Sequence, residues 1–385
     1  MKKMLIVATV QSHIAQFHLP FIRMMKREGF EVHVAARDNL FEKNGLSLET
    51  YDIDKIYNVP FKRSPYDLEN YKAYHILENI IRENNYTLVQ CNTPVAAILT
   101  RICVLKKKLS KEKVVYMAHG FHFYKGASLK NWIMFYPIEK FFSKYTGLLI
   151  TVNKEDYRFA KKHFNCKVEH IYGVGVSRDK FHLYKDINQL EKYKKKYSIK
   201  DGFNIICIGE FNNNKNQITL INSFSQIDKN NNVNLYFAGN GPKERFLKSA
   251  VYKLGLTEKI HFLGYTRDLE YIIPLCDCVI SCSFREGMPL NVIEGLMCGK
   301  PVIASNNRGH KELIIDNYNG FLFDPHDSEY CAHLIQMIWK DHSLYSKLSS
   351  NAIGSVESYE LSHVIDNVRS IYLSICKSER EECYE

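Results

Sequence analysis

The chain has 385 residues, of which 45% are hydrophobic and 24% are charged. This composition is typical of a folded globular protein, and it excludes a disordered chain or a small disulfide-stapled scaffold. No apolar run approaches the ~18 residues that a membrane-spanning helix requires. The apolar start of the chain, residues 4–10, indicates a first buried strand, because Gln11, Ser12 and His13 follow without a cleavage-like pattern. A cytoplasmic protein is therefore expected, and one domain per ~150 residues predicts two domains.

The net charge of +10 is concentrated in the first half of the chain. Residues 1–168 carry a net charge of +12, and the remainder carries −2. This asymmetry predicts that the first half meets something anionic, either a phospholipid surface or a phosphate-bearing substrate. No recognition helix or aromatic RNA-binding motif is visible, so a nucleic-acid partner is not expected. A solvated basic surface without a partner is the open alternative.

In chain order, the pattern predicts a strand at 5–10, a helix at 19–28 and a strand at 31–36, followed by strands at 87–91 and 114–118. After a lysine-rich segment at 185–200, strands are predicted at 203–209, 234–238, 259–263, 278–282 and 301–304. A final helix is predicted at 362–376. Strands that alternate with helices indicate parallel sheets.

The predicted fold class is α/β, with two Rossmann-like, doubly wound parallel-sheet domains facing a central cleft. The boundaries are placed at residues 1–175 and 176–359. The C-terminal helix, about residues 360–385, is predicted to pack back on the first domain. Such sheets bind ligands outside the carboxyl ends of their strands, so a nucleotide-type ligand between the domains is expected.

Residues 285–301 carry the strongest functional signal in the chain. They follow an apolar strand, and Gly287 permits a tight turn while Pro289 suits the first position of a helix. The start of this helix would offer free amides and a positive dipole end to a phosphate. Glu294, one turn after Asn291, would offer a carboxylate to hydroxyl groups. The segment therefore predicts an anion and sugar site.

Glu286 and Glu294 stand eight residues apart within the pattern Glu-Gly-Met-Pro-x4-Glu-Gly-x3-Gly-x-Pro-Val-Ile-Ala. This pattern resembles the E-x7-E motif of retaining glycosyltransferases of family 4, including those of bacterial capsule and exopolysaccharide biosynthesis. The resemblance covers nearly the whole chain and implies the GT-B fold. It implies a hexosyltransferase with an acceptor-binding first domain and a second domain that binds a nucleotide-diphosphate sugar.

The resemblance also implies roles for single residues. Glu286 would be a catalytic residue that holds the hydroxyls of the donor sugar, and Glu294 would hold the donor ribose. The other residues implied in donor binding are Lys215, Arg267, Gly287, Met288, Pro289 and Leu290. Glu210 departs from the pattern, because the family usually has an arginine at its position. No acidic DxD-type motif occurs in a fitting context, so neither a metal nor a cofactor is expected.

Four histidines of the first domain are candidate site residues. His119 precedes Gly120 after a predicted buried strand, and the resemblance implies that it lies near the donor sugar as a catalytic residue. His13 and His18 lie in the predicted loop after the first strand, and with His122 they are candidates for the acceptor side. For each of the four, a purely structural role is the open alternative.

Aromatic residues and lysines interleave over residues 123–145, and further lysines cluster at 106–113. Such a stretch is typical of a surface that lies against an anionic membrane, where each lysine contributes ~1 kcal/mol. An ordinary core helix with solvated lysines is the open alternative. A peripheral position at the inner face of the cell membrane is expected.

The sequence therefore predicts transfer of a sugar from a nucleotide-diphosphate donor, a UDP-sugar in the first instance, to a hydroxyl of a glycan. The expected acceptor is an oligosaccharide linked to polyprenyl diphosphate. Two other classes stay open. One is a nucleotide-sugar epimerase of similar architecture, and the other is a non-catalytic nucleotide-binding subunit, for which Glu210 is an argument.

Overall fold

The computed structural model describes residues 2–40, 48, 51–181, 187–228 and 230–381, with side chains described as far as residue 376. The chain forms two compact units. The first comprises Met1–Gly175 and Ser362–Glu385, and the second comprises Val176–Leu361. The last residues of the predicted C-terminal helix, 382–385, lie outside the described part of the chain.

The first unit alternates strands and helices. Its described elements are β1 (Lys2–Val10), α1 (Gln11–Phe17), α2 (Leu19–Arg27), β2 (Phe30–Arg37), β3 (Lys55–Asn58), α3 (Glu69–Glu83), β4 (Leu88–Asn92), α4 (Pro94–Leu105), β5 (Val114–Ala118), α5 (Leu129–Phe142), β6 (Leu148–Thr151), α6 (Lys154–His163) and β7 (Lys167–His170).

The strands of the first unit form one parallel sheet in the order β3-β2-β1-β4-β5-β6-β7. The central strand β1 is buried from Met4 to Val10, as expected for a strand covered by helices on both faces. The order reverses between β1 and β4, which is the topological switch point of a doubly wound fold. Side chains at the carboxyl ends of these two strands are therefore placed to contact a ligand.

A buried ion pair holds α5 against α4 and β5. Arg101 Nη1 lies 2.9 Å from Glu139 Oε2, and the Tyr116 hydroxyl donates to Glu139 Oε1 at 3.2 Å. Only 1% of the Arg101 side chain is exposed. Because burial removes both charges from water, each charge needs the other to offset its cost of desolvation.

The second unit repeats the alternation. Its described elements are α7 (Ile187–Lys196), β8 (Phe203–Ile208), α8 (Gln217–Phe224), β9 (Val233–Ala238), α9 (Glu244–Lys253), β10 (Ile260–Gly264), α10 (Leu269–Ile272), β11 (Cys278–Ser281), α11 (Leu290–Met297), β12 (Val302–Ser305), α12 (Arg308–Leu313), β13 (Gly320–Phe323), α13 (Ser328–Lys340) and α14 (His342–Ser355).

The second sheet is also parallel, in the order β10-β9-β8-β11-β12-β13. This is the strand order of a Rossmann domain, and its switch point lies between β8 and β11. Gly295 lets α11 pack closely on β11, because a Cβ at this position would lie 2.5 Å from Cγ2 of Val279. The start of α11 is thereby held beside the switch point.

The final helix, α15 (Leu361–Glu381), belongs to the first unit from Ser362 onward. Its Tyr372 hydroxyl is buried and donates a hydrogen bond of 2.7 Å to Gln90 of β4. Arg369 forms an ion pair with Glu28, at 2.6 Å from Nε to Oε1. In the described part of the chain, no helix is both long and apolar enough to span a bilayer.

The structure corrects two local predictions. Residues 11–17 form helix α1 rather than a loop, with Asn39 accepting from the Ser12 amide at 3.0 Å in its first turn. Pro289 is the N-cap of α11 rather than its first helical residue, because its backbone is extended and its carbonyl accepts from the amides of Val292 and Ile293.

Candidate active site

The loops that follow β8 and β11 flank the switch point of the second unit. The first, residues 209–216, is anchored by Phe211, whose ring packs against Phe237 and Phe262 in the core. Gly239 and Gly241 lie against this loop. A Cβ on Gly239 would lie 2.1 Å from the Gly209 carbonyl oxygen, and one on Gly241 would lie 2.6 Å from that of Phe211. Glycine at these two positions therefore lets the backbone after β9 pack closely against the backbone of the loop after β8.

Asparagine side chains join the two loops. Asn214 Nδ2 donates to the Arg285 carbonyl at 3.0 Å, and Asn216 Nδ2 donates to the Cys282 carbonyl at 3.3 Å. Asn291, in the first turn of α11, donates to the Ile208 carbonyl at 3.1 Å at the end of β8. These bonds satisfy backbone carbonyls at the strand ends and fix the loops relative to each other.

Lys215 and Glu286 meet across the two loops. Lys215 Nζ lies 2.7 Å from Glu286 Oε1, and 23% and 14% of the two side chains are exposed. Burial raises the pKa of the Glu286 carboxyl, but the charge of Lys215 and its hydrogen bond outweigh burial and bring that pKa below its ordinary value. Glu286 is therefore ionised at neutral pH, beside a lysine that a phosphate could also attract.

Gly309 and His310 of α12 support Glu286. A Cβ on Gly309 would lie 2.9 Å from Glu286 Cβ, so only glycine fits this contact without a shift. His310 is fully buried, and Nδ1 lies 2.7 Å from the Ser305 carbonyl while Nε2 has no hydrogen-bond partner among the described residues. Burial lowers the pKa of His310 to about 4, although the Glu286 charge acts in the opposite direction.

Glu294 lies in α11 in a different environment. Burial raises the pKa of Glu294 to about 7, and the nearby Glu270 charge adds to this effect while Lys180 opposes it. Within the described part of the chain, no side-chain hydrogen bond to this carboxyl is found. An under-compensated carboxylate beside a helix N-terminus is available to accept hydrogen bonds from ligand hydroxyls.

The remaining donor-side candidates occupy loops at the same edge of the sheet. Gly287, Met288 and Pro289 lie between Glu286 and α11, and Leu290 is the first residue of that helix. Arg267 is exposed in the loop after β10. Glu210 is exposed directly after Gly209, and the Asn212 side chain donates to its carboxylate at 3.1 Å.

The first unit brings three of the four candidate histidines together. The ring centroids of His13 and His119 are 4.6 Å apart, and that of His18 lies 5.2 Å from each. His122 is not part of this group, since its ring stacks on Phe135 at 4.5 Å. His13, His119 and His122 line a cavity of about 170 Å³ at the carboxyl ends of the strands.

Sequence reasoning missed three features of these sites. Gly309 and His310 were not singled out, because they follow Glu286 by more than 20 residues and meet its surroundings only in the folded unit. The histidine cluster joins α1 to the end of β5. The sequence did contain a signal for this cluster: His13 follows β1 and His119 follows β5, and both strands end at the same edge of the sheet.

The two doubly wound sheets, with charged side chains at the switch point of the second, define a GT-B type protein. Residues 3–153 match the family model "Glycosyl transferase 4-like", and residues 189–354 match "Glycosyl transferases group 1". EpsD of Bacillus subtilis (strain 168) is 36% identical over 384 residues, which are 99% of each chain. The chain therefore belongs to the group 1 glycosyltransferases with a family 4-like first domain.

More distant relatives and solved structures agree on the fold. The Escherichia coli UDP-Gal:alpha-D-GlcNAc-diphosphoundecaprenol alpha-1,3-galactosyltransferase is 23% identical over 94% of both chains. The crystal structure of Anabaena HepE with UDP-glucose matches with a TM-score of 0.79 and 20% identity, over 97% of this chain and all of that one. WaaG, a glycosyltransferase of lipopolysaccharide biosynthesis, matches with a TM-score of 0.73 and 16% identity, over 96% and 99%. The GT-B fold predicted from the sequence is thereby confirmed.

Proposed function

We propose that this protein transfers a hexosyl group from a UDP-sugar to a hydroxyl of a lipid-linked oligosaccharide, with retention of the anomeric configuration, in bacterial capsule or exopolysaccharide synthesis. The observation that carries the proposal is the Lys215–Glu286 pair at the switch point of the second unit, where a Rossmann-like domain binds its nucleotide. The UDP and UDP-glucose complexes of HepE support the choice of donor.

In this proposal, the bond between the anomeric carbon and the diphosphate oxygen breaks as the acceptor oxygen bonds to the same carbon, and the proton of the acceptor hydroxyl passes to the departing diphosphate. Lys215 and the first amides of α11 stabilise the negative charge that develops on the departing diphosphate. Because Glu210 stands where an arginine is usual, Lys215 is the main cation of its loop, and no resident metal is required by the proposal. Retention follows from the family resemblance.

Glu286 and Glu294 bind the uncharged hydroxyl groups of the donor. Glu286, ionised beside Lys215, accepts hydrogen bonds from hydroxyls of the transferred sugar. Glu294 accepts from the ribose hydroxyls, and Arg267, in the loop after β10, contributes to donor binding. His119 orients the reacting centre, and His13, His18 and His122 belong to the acceptor side.

The exposed surface of helix α5 is an argument for an acceptor that is anchored in a membrane. Leu129, Ile133, Pro137 and Phe141 follow one another at intervals of four residues and are all exposed, which places an apolar stripe on one side of the helix. Lys130 in this helix, and Lys125 and Lys144 just outside it, are also exposed. Relatives named for diphosphoundecaprenol acceptors in Campylobacter jejuni and Escherichia coli support the same acceptor class.

The donor assignment is tested by screening UDP- and GDP-sugars for nucleotide release, with and without membrane lipid extract. Lys215→Met and Glu286→Gln are expected to lower kcat/KM by at least about 100-fold, since each removes a charge that acts on the transition state. Lys311→Met and Glu329→Gln, exposed residues of the same unit, are the matched controls. Product without any acceptor would instead indicate an epimerase, and normal turnover in both site variants would contradict the assignment.

The membrane surface is tested by co-sedimentation with vesicles of anionic and of zwitterionic lipid. The double variant Leu129→Glu, Ile133→Glu is expected to lose binding to the anionic vesicles, because it places charge in the apolar stripe. Leu68→Glu is the matched control, since Leu68 is 89% exposed elsewhere in the first unit. Unchanged binding by the double variant would contradict a membrane role for α5.

A further inference from the structure

Three histidine rings face one another in the first unit without a partner for their inner nitrogens. One ring nitrogen each of His13, His18 and His119 lies within 4.8 Å of the other two. The Nε2 atoms of all three are buried and make no hydrogen bond within the described part of the chain. Three buried nitrogens without partners in one cluster are costly unless a ligand binds there.

The surrounding structure holds the rings in place and leaves one side open. Phe17 packs against His119, at 5.3 Å between centroids, and Phe21 packs against His18, at 6.0 Å. Gln90 contacts His18 Nδ1 at 3.3 Å and is itself held by Tyr372 of α15. The cavity of about 170 Å³ reaches His13 and His119, so a fourth ligand or a water could complete the coordination.

We propose that His13, His18 and His119 form a binding site for one divalent transition-metal ion of the zinc class. Three imidazoles with an open fourth position are a known zinc donor set, with about 2.0–2.1 Å from nitrogen to metal. Tetrahedral coordination requires roughly 3.4 Å between nitrogens, so the ligand nitrogens, which lie within 4.8 Å of one another, have to approach by about an ångström when the ion binds. The cluster contains no carboxylate, so magnesium and calcium, which prefer oxygen ligands, are disfavoured.

Gln90 is the expected outer contact of this site. If His18 binds the metal through Nε2, its Nδ1 carries the proton and needs an acceptor. Gln90 Nε2 now faces His18 Nδ1 at 3.3 Å and donates to Asn92 Oδ1 at 2.9 Å, while Tyr372 of α15 donates to Gln90 Oε1, so this acceptor has to come from a rearrangement of Gln90 and its partners when the ion binds. Metal binding would in this way involve β4 and α15.

The site is tested on tag-free full-length protein that has been stripped with a chelator. Titration with Co²⁺ is expected to produce the visible absorption of a tetrahedral ion at one equivalent per chain, and Zn²⁺ is expected to displace it and raise the Tm. Magnesium ion should do neither. The readout needs no sugar donor, so it stays separate from the proposed transferase activity.

His13→Gln and His119→Ala should each weaken Co²⁺ binding at least about tenfold. His122→Ala is the matched control, because His122 lines the same cavity outside the cluster. Circular dichroism checks that each variant is folded. The absence of stoichiometric binding in the wild type, or equal affinity in the His13 and His119 variants, would overturn the proposal.

Discussion

Glu294 is expected to destabilise the second unit at alkaline pH. Its pKa is raised to about 7 in the folded protein, against an ordinary value of 4.5, because the carboxyl is buried. Between these two values, the folded state binds more protons than the unfolded state. The free energy of unfolding that depends on this group is therefore highest at low pH and falls as the pH rises through 7.

The size of the effect follows from the two pKa values. At pH 8 the ionised carboxylate costs roughly 3 kcal/mol, and at pH 5 the cost falls below about 1 kcal/mol, since one pKa unit corresponds to about 1.4 kcal/mol. Glu294→Gln keeps the shape of the side chain and removes the charge. The variant should therefore be more stable than the wild type at pH 8, by roughly 6–12 °C in Tm, and nearly equal to it at pH 5.

Urea unfolding at both pH values measures this difference. Trp339 lies in the second unit and Trp132 in the first, so a Trp132→Phe background isolates the fluorescence of the unit that contains Glu294. Glu329→Gln, which removes an exposed carboxylate of the same unit, should change stability equally at pH 5 and pH 8. A stability difference for Glu294→Gln that does not depend on pH would refute the reasoning. The same variant should bind UDP more weakly if Glu294 holds the ribose.

Two further substitutions test the supports of the sites. Gly309→Ala places a Cβ 2.9 Å from both the Cβ and the backbone oxygen of Glu286, so the backbone has to move; stability should fall, and kcat/KM of the folded variant should fall about tenfold or more. Gly354→Ala, with open space around it, should leave the rate unchanged. Equal rates would show that Glu286 tolerates displacement. Arg101→Met leaves the buried Glu139 carboxylate without its positive partner and should lower the free energy of unfolding by about 3–5 kcal/mol. Adding Glu139→Gln removes the unpaired charge and should restore much of this stability. A loss below about 1 kcal/mol would contradict this.

The sequence by itself determined the class of fold. The central strands are fully buried, so they read as apolar runs, and the predicted strand at 114–118 coincides with β5. The strands that were not predicted include β3 and β7, which lie at the two edges of the first sheet. They are four residues long and partly exposed, so they lack the apolar run that marks a buried strand.

The sequence also determined the segment that carries the candidate donor site, because Glu286 and Glu294 lie in one local pattern. Only the tertiary structure decided that Lys215 pairs with Glu286, that Gly309 supports it, and that His13, His18 and His119 meet. Local patterns reflect burial and backbone preference, which act over a few residues. Contacts between separate strand ends depend on sheet order, and sheet order arises only when the whole unit packs.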